Sequence, residues 1–326
     1  MKHAGLIATM LRYRVAALLL PFFLLAPAFH QQLREFKWQY AAGVLALCCS
    51  YVVATCLNDV FDLDVDRINH PQARDRPLVT GAATMRQMMS AALMAAAVAL
   101  IAGGAVGLFG VALVAVSLLL NVAYSVPPVR LCARALAAPL VLAFAYVALP
   151  YGIGLAAAGT SPDLFDVRVV ACFAVLFVGR MLLKDFRDRR GDAAFGKRTF
   201  LLAYGKRWTL VVTLICIVAG DALLLTVLPA SPVLIVAVET YFAGVGFQLY
   251  RLWLANEPVA ERVAIALGAR MGNAVVLTLL GFLLLRASGA SEAEQALLVG
   301  VFALMFWFAF AYLTLKPQEA LAAYRG

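Results

Sequence analysis

Ten stretches of about twenty mostly apolar residues recur along the chain, and they constrain its fold more than any other feature. They lie near 13–30, 38–58, 84–102, 105–124, 134–157, 167–184, 208–229, 232–254, 263–286 and 293–315. A helix rises about 1.5 Å per residue and the hydrocarbon layer is about 30 Å thick, so each stretch suits one crossing. In lipid every backbone polar group must pair inside the structure, which selects helices. With 64% apolar and only 14% charged residues among 326, this much apolar surface cannot be enclosed in one soluble core. Disorder and a secreted disulfide scaffold are excluded by the same figures. The expected fold is therefore all-α: a polytopic transmembrane helical bundle of nine to ten spans. It forms one domain over 1–326, with 286–326 as an extra tenth span and tail.

The net charge of +9 raises the question of nucleic acid, and its distribution answers it. Lysine and arginine gather on the cytoplasmic side of short loops. With the N-terminus placed inside, only Arg34, Lys37, Arg168 and Arg286 fall outside, and Arg180 sits within a span. Both termini and the longer loops are thus expected in the cytoplasm, and no nucleic acid partner is needed to explain the charge. Arg12 and Arg14 ahead of the first stretch, with Ala26-Pro27-Ala28 after it, give it the form of a signal peptide. Nine further stretches follow, so it is read as a retained first helix. The 6 cysteines lie in apolar stretches without a C-x-x-C pair and the 3 histidines are scattered, which leaves no Cys/His metal site.

Two inside connections are long, about 59–83 and 185–207, and both are crowded with charge. The first opens Asn58-Asp59-Val60-Phe61-Asp62-Leu63-Asp64-Val65-Asp66-Arg67, the second Lys184-Asp185-Phe186-Arg187-Asp188-Arg189-Arg190-Gly191-Asp192. Asp59, Asp62 and Asp66 are spaced by three and then four, and Asp185, Asp188 and Asp192 repeat that spacing. Such intervals return side chains to one helical face, where like charges repel. Asp64 falls off that face and is expected in solvent. A ladder of carboxylates becomes reasonable when a hard divalent cation such as Mg²⁺ neutralises it, together with substrate phosphate oxygens. The plainer reading, solvated loop charge, explains one trio better than two of identical spacing.

These residues resemble the UbiA superfamily of intramembrane prenyltransferases. Asn58, Asp59, Asp62 and Asp66 match its N-D-x-x-D-x-x-x-D signature, and Lys184-Asp185 through Gly191-Asp192 matches the K-D-x-x-D-x-x-G-D form of its second. That form is seen in the branch with chlorophyll synthases, homogentisate prenyltransferases and archaeal lipid synthases. Tyr124-Ser125-Val126-Pro127-Pro128 resembles the same branch's Y-S-x-P-P element, and Arg76-Pro77-Leu78-Val79-Thr80-Gly81 its R-P-L-x-S-G run. Family members typically have nine spans, so either two of the ten stretches form one broken helix or the segment near 293–315 is an addition.

The resemblance implies two Asp-rich cytoplasmic connections capping a central cavity, and an isoprenyl diphosphate donor ionised at its allylic C–O bond. A small-molecule acceptor, aromatic or otherwise lipophilic, would then take the prenyl group, with membrane lipid around the protein. Asp59, Asp62, Asp66, Asp185, Asp188 and Asp192 would hold Mg²⁺; Asn58, Arg67, Tyr124, Lys184, Lys197 and Arg198 would meet the diphosphate. Lys197 and Arg198 equally suit anchoring to anionic lipid head groups. Arg74 and Arg76 are read as ordering their loop, and Arg14 as either reaching the cavity or snorkelling to the interface. A terpene cyclase of the same superfamily remains an alternative. A transporter would want ionisable groups at mid-bilayer; Asp221 and Glu239 are the candidates, and they leave the matching trios unexplained.

Overall fold

An apolar run without charge offers its backbone no partner but itself, and in this chain such runs become helices. The structure, a computed structural model, describes residues 3–71 and 75–324. Its helices begin with α1 (His3–Met10), α2 (Tyr13–Ala16), α3 (Leu19–Phe29), α4 (Trp38–Phe61), α5 (Leu63–Asn69), α6 (Met85–Val106) and α7 (Leu108–Ser125). Next come α8 (Ala137–Ala143) and α9 (Leu149–Ala158), joined through a π-helical turn at Phe144–Ala148, then α10 (Leu164–Ala194) and α11 (Phe200–Leu225). The chain continues with α12 (Pro232–Leu254), α13 (Pro258–Ala287), α14 (Glu292–Leu315) and α15 (Pro317–Tyr324). Two short strands, β1 (Arg134–Ala135) and β2 (Arg198–Thr199), pair in parallel.

Among the described residues, 8 helical segments are long and apolar enough to cross a bilayer: α4, α6, α7, the α8–α9 run, α11, α12, α13 and α14. The chain has the polytopic helical membrane fold. Two of the ten expected spans take another form. The segment 13–30 is not one helix: Arg12 stands in left-handed backbone (φ 42) between α1 and α2, and α3 has only 11 residues. The Met10 carbonyl next to this break accepts from Thr55 Oγ1 at 2.7 Å, which meets the need of a helix-end carbonyl. The segment 167–184 lies inside α10, whose 31 residues extend about 46 Å at the usual rise. That exceeds the hydrocarbon depth of about 30 Å, so the helix projects past its span. The second acidic run therefore rides on a helix rather than on a loop.

The chain divides into two compact units. The first comprises the described residues up to Ala26, Phe36–Pro162 and Arg187–Gly205; the second comprises Pro27–Glu35, Asp163–Phe186 and the described residues from Lys206 onward. In the first, Met88, Ala91, Ala92 and Ala95 on α6 are buried against Val52, Val53, Cys56 and Leu57 on α4. The three-and-four spacing puts the alanines on one face, and their small size permits close helix approach in lipid. Thr84 and Gln87 form a capping box that starts α6, the arrangement expected of this residue pair. Ser50 Oγ and Ser117 Oγ stand 2.7 Å apart, and Asn121 Nδ2 donates to Ser50 O at 3.0 Å, tying α4 to α7.

In the second unit, Arg180 donates to Asn273 Oδ1 at 2.5 Å, which partners the one arginine expected inside a span. His30 Nε2 and Asp166 Oδ1 lie 2.9 Å apart. Leu297, Leu304, Phe308 and Leu315 on α14 are exposed, as suits a helix facing lipid.

Candidate active site

Asp59 lies on the last turn of α4, Asp62 between α4 and α5, and Asp66 within α5. The chain bends at Asp62 (φ −109, ψ 14), yet Asp62 N donates to Asn58 O and Asp66 N to Asp62 O, both at 2.8 Å. Helical bonding thus crosses the bend and keeps the trio in register. All three residues are buried, at 2%, 6% and 5% exposure. Asp64 points outward, as its spacing requires, and pairs with Arg67 in solvent.

Buried carboxylates need partners, and four cations supply them. Arg12 Nη2 donates to both oxygens of Asp59 at 2.7 Å. Arg76 Nη1 donates to Asp59 Oδ1 at 2.6 Å and makes a very short bond to Asp66 Oδ2. Arg130 Nη2 donates to Asp62 Oδ1 at 2.7 Å and to Phe61 O at 3.2 Å. Lys197 Nζ donates to Asp62 Oδ2 at 2.7 Å and lies 3.4 Å from Asp192 Oδ1. Asn58 Nδ2 adds a bond to Asp62 Oδ2 at 3.0 Å. Arg12 and Arg130 both adopt left-handed backbone, φ 42 and 39. For a side chain with a Cβ that conformation costs about 1 kcal/mol or more, and it recurs at two residues that reach the first acidic run.

Lys197 reaches the site through the end of α10. Lys197 N donates to Asp192 O at 2.9 Å and Gly196 N to Ala193 O at 3.3 Å, with Gly196 at φ 65. This is a Schellman motif, whose left-handed position glycine fills without steric cost. It folds Lys197 back beside Asp192. Alternation then continues into β2: Lys197 and Thr199 are buried and Arg198 is exposed, the period of two expected for extended chain. Pairing of β2 with β1 holds this segment beside the stretch that carries Arg130. On α10 itself, Asp188 Oδ1 lies 3.2 Å from His70 Nε2 and 3.0 Å from Arg187 Nε.

Burial alone would raise the Asp62 carboxyl, but Lys197 and Arg130 hold it below its ordinary value. Asp66 goes the other way. Burial pushes it up to about 6 against the opposing pull of Arg76 and His70, with the negative Asp59 and Asp62 adding to the rise. Burial disfavours the charge on Lys197, yet Asp62 and Asp192 raise its affinity for the proton.

Oxygen donors suit a hard divalent cation. Among the described residues no three carboxylate, imidazole or thiol groups stand together as a closed metal cage. The carboxylates are instead paired, Asp59 with Asp66 across Arg76 and Asp62 with Asp192 across Lys197. Mg²⁺ takes one or two carboxylates and completes its shell with phosphate oxygens and water, so such pairs fit it.

The sequence-derived residues separate accordingly. In the first unit Asp62, Asp192, Asn58 and Lys197 meet through shared hydrogen bonds or close contacts, Asp59 and Asp66 meet across Arg76, and Asp188 pairs with His70 at the end of α5. Arg67 does not join them, because its Asp64 partner draws it into solvent. Arg198 does not either, because strand alternation turns it outward. Tyr124 is half-buried on the last turn of α7, and Lys184 and Asp185 belong to the second unit. Arg74 and the Arg14 side chain lie outside the described residues. Sequence reasoning passed over Arg12, Asn69, His70 and Arg130, and assigned Arg76 only to loop order.

The sequence pattern of the UbiA prenyltransferase family matches residues 18–271. The chain belongs to this family. Chloroplastic chlorophyll synthase of Arabidopsis thaliana is 26% identical over 230 residues, which cover 64% of this chain and 55% of that protein. Homogentisate phytyltransferase of Synechocystis sp. is 32% identical over 185 residues, covering 54% and 59%. The chain thus spans little more than half the length of these curated relatives. Among solved structures, a UbiA homolog from Archaeoglobus fulgidus bound to GPP and Mg²⁺ has a TM-score of 0.58 at 16% identity, covering 95% of this chain and 99% of that one. A structure concerning digeranylgeranylglyceryl phosphate synthase in membranes has a TM-score of 0.63 at 16% identity, covering 86% and 98%. These structures are alike in fold. In this UbiA-family chain, Arg12 and α14 lie outside the matched residues.

Proposed function

We propose that the chain is a Mg²⁺-dependent intramembrane prenyltransferase that acts on an isoprenyl diphosphate and a lipophilic small-molecule acceptor. The observation that carries this reading is Lys197, whose ammonium touches one aspartate of each acidic run. Two like-charged runs drawn to one cation make a site for a polyanion bound through further cations. An aromatic acceptor is the class that the name homogentisate phytyltransferase suggests.

Asp59, Asp62, Asp66, Asp188 and Asp192 would hold Mg²⁺, which when bound supplies Lewis-acid charge to the departing diphosphate. Asp185 and Lys184, on the preceding turn of α10, are assigned to the same task by spacing alone, as is Tyr124 to the diphosphate. Arg12, Arg76, Arg130 and Lys197 are preorganised donors for phosphate oxygens, where charge-assisted bonds are strongest. The allylic C–O bond breaks with its electron pair leaving on diphosphate. The acceptor then bonds to the freed carbon and gives up a proton. Water must be kept from that carbon, and the apolar helices around the site supply the dry surroundings. The charge bias favours the cytoplasmic face for this end of the protein.

The test is pyrophosphate release by the purified chain in detergent, with isoprenyl diphosphates of graded length, Mg²⁺ and an aromatic acceptor. Mg²⁺-dependent release with a prenylated product is expected. Undiminished release in excess EDTA, or none with any donor, would overturn the reading. A cyclised hydrocarbon formed without acceptor would move it to the cyclase.

A further inference from the structure

We infer that Asn69 is a positioning residue, which locks the helix carrying Asp66 onto the helix carrying Asp188 and Asp192; its catalytic meaning rests on the prenyltransfer reading. Asn69 is the last residue of α5. Its Nδ2 donates to Asp188 O at 2.9 Å and its Oδ1 accepts from Gly191 N at 2.7 Å. One partner is an acceptor and the other a donor, so a single orientation of the amide serves both. Both partners are backbone groups of α10, at or beside the aspartates of the second run.

The packing around this contact leaves little play. A Cβ on Gly191 would stand 2.7 Å from Val65 O and 2.6 Å from Asn69 Nδ2, so α5 lies directly on α10 at that point. His70, the next residue, reaches Asp188 Oδ1 at 3.2 Å. Two acidic helices repel when brought together, and neither run can attract the other through its own carboxylates. A neutral amide that donates and accepts at once can join them without adding charge. Aspartate at this position would lose the donor and add a negative charge. Serine is too short to span both backbone groups.

The test compares the wild-type chain with Asn69→Ser and, from the opposite side of the same contact, Gly191→Ala. Hydrogen exchange reads the joint directly: amides of residues 63–70 should exchange faster in both variants, while those of α4 and α6 stay protected. Outer-shell positioning changes typically weaken metal affinity about 10- to 100-fold, so the Mg²⁺ needed for half-maximal pyrophosphate release should rise by that order. The rise should exceed any change in kcat at saturating metal. Wild-type exchange at 63–70, or an unchanged Mg²⁺ requirement with loosened exchange, would overturn the assignment. Failure of the wild-type chain to release pyrophosphate would instead strike the prenyltransfer reading, with the exchange comparison still deciding whether Asn69 joins the helices.

Discussion

Arg12 grips Asp59 with one nitrogen, Nη2, which lies 2.7 Å from each carboxylate oxygen. The pair joins residues 47 positions apart, and both side chains are largely sequestered, at 11% and 2% exposure. Arg76 also holds Asp59, so removing Arg12 strips part of the compensation of a buried charge. Loss of one hydrogen bond to a charged group costs about 2 kcal/mol. Arg12→Ala should lower stability by that order in thermal unfolding in detergent. Arg12→Lys, which keeps the charge, should lose less.

Lys197 and Arg198 are adjacent cations with opposite surroundings. Lys197→Met leaves Asp192 and Asp62 short of a partner in the site. Removing one preorganised donor typically costs about 10²–10³ in rate, and kcat/KM for pyrophosphate release should fall by that order. Arg198→Met changes an exposed side chain and should stay within about 0.5 kcal/mol in stability, with turnover near the wild-type value. Equal losses from both changes would contradict the alternation that separates them.

Gly196 holds the left-handed position that returns Lys197 to Asp192. Alanine there should cost about 1 kcal/mol. Because the strain falls on the segment that delivers Lys197, Gly196→Ala should also lower turnover, whereas alanine at the exposed Phe195 should not.

Asp66 should impose a pH dependence. Its folded value of about 6 lies above the unfolded value near 3.9, so the folded state binds this proton more tightly. The contribution to stability is then fullest below about pH 4 and is lost as pH rises towards 6. Metal binding has the opposite sign, since a ligating carboxylate must be ionised. Mg²⁺ affinity should rise from pH 5 to 7 and then level off, and Asp66→Asn should remove that step. Asp62, held below its usual value, should add no transition in this window.

The helices and the acidic ladders were legible because both are local. Apolar length defines a span whatever its neighbours, and the three-and-four spacing of Asp59, Asp62 and Asp66 survives the bend at Asp62 because helical bonding crosses it. Asp64 and Arg67 show the limit of reasoning by adjacency: Arg67 follows Asp66 in sequence but pairs one turn back with Asp64. The partners Arg12, Arg76 and Arg130 were not legible as such. Each lies 10 or more residues from its aspartate, and left-handed backbone at two of them follows from tertiary placement rather than local propensity. Asn69 carried no charge to draw notice. Its role appears only when Gly191 brings α10 against it.

The most direct test of the two acidic runs acting as one unit is a double-mutant comparison of Asp62→Asn and Asp192→Asn in Mg²⁺-dependent pyrophosphate release. Residues that act together show grossly non-additive losses. Each single change should cost about 10³ in kcat/KM, and the double variant should be little worse than the poorer single one. Losses that multiply, or near-normal turnover in either single variant, would contradict a shared site.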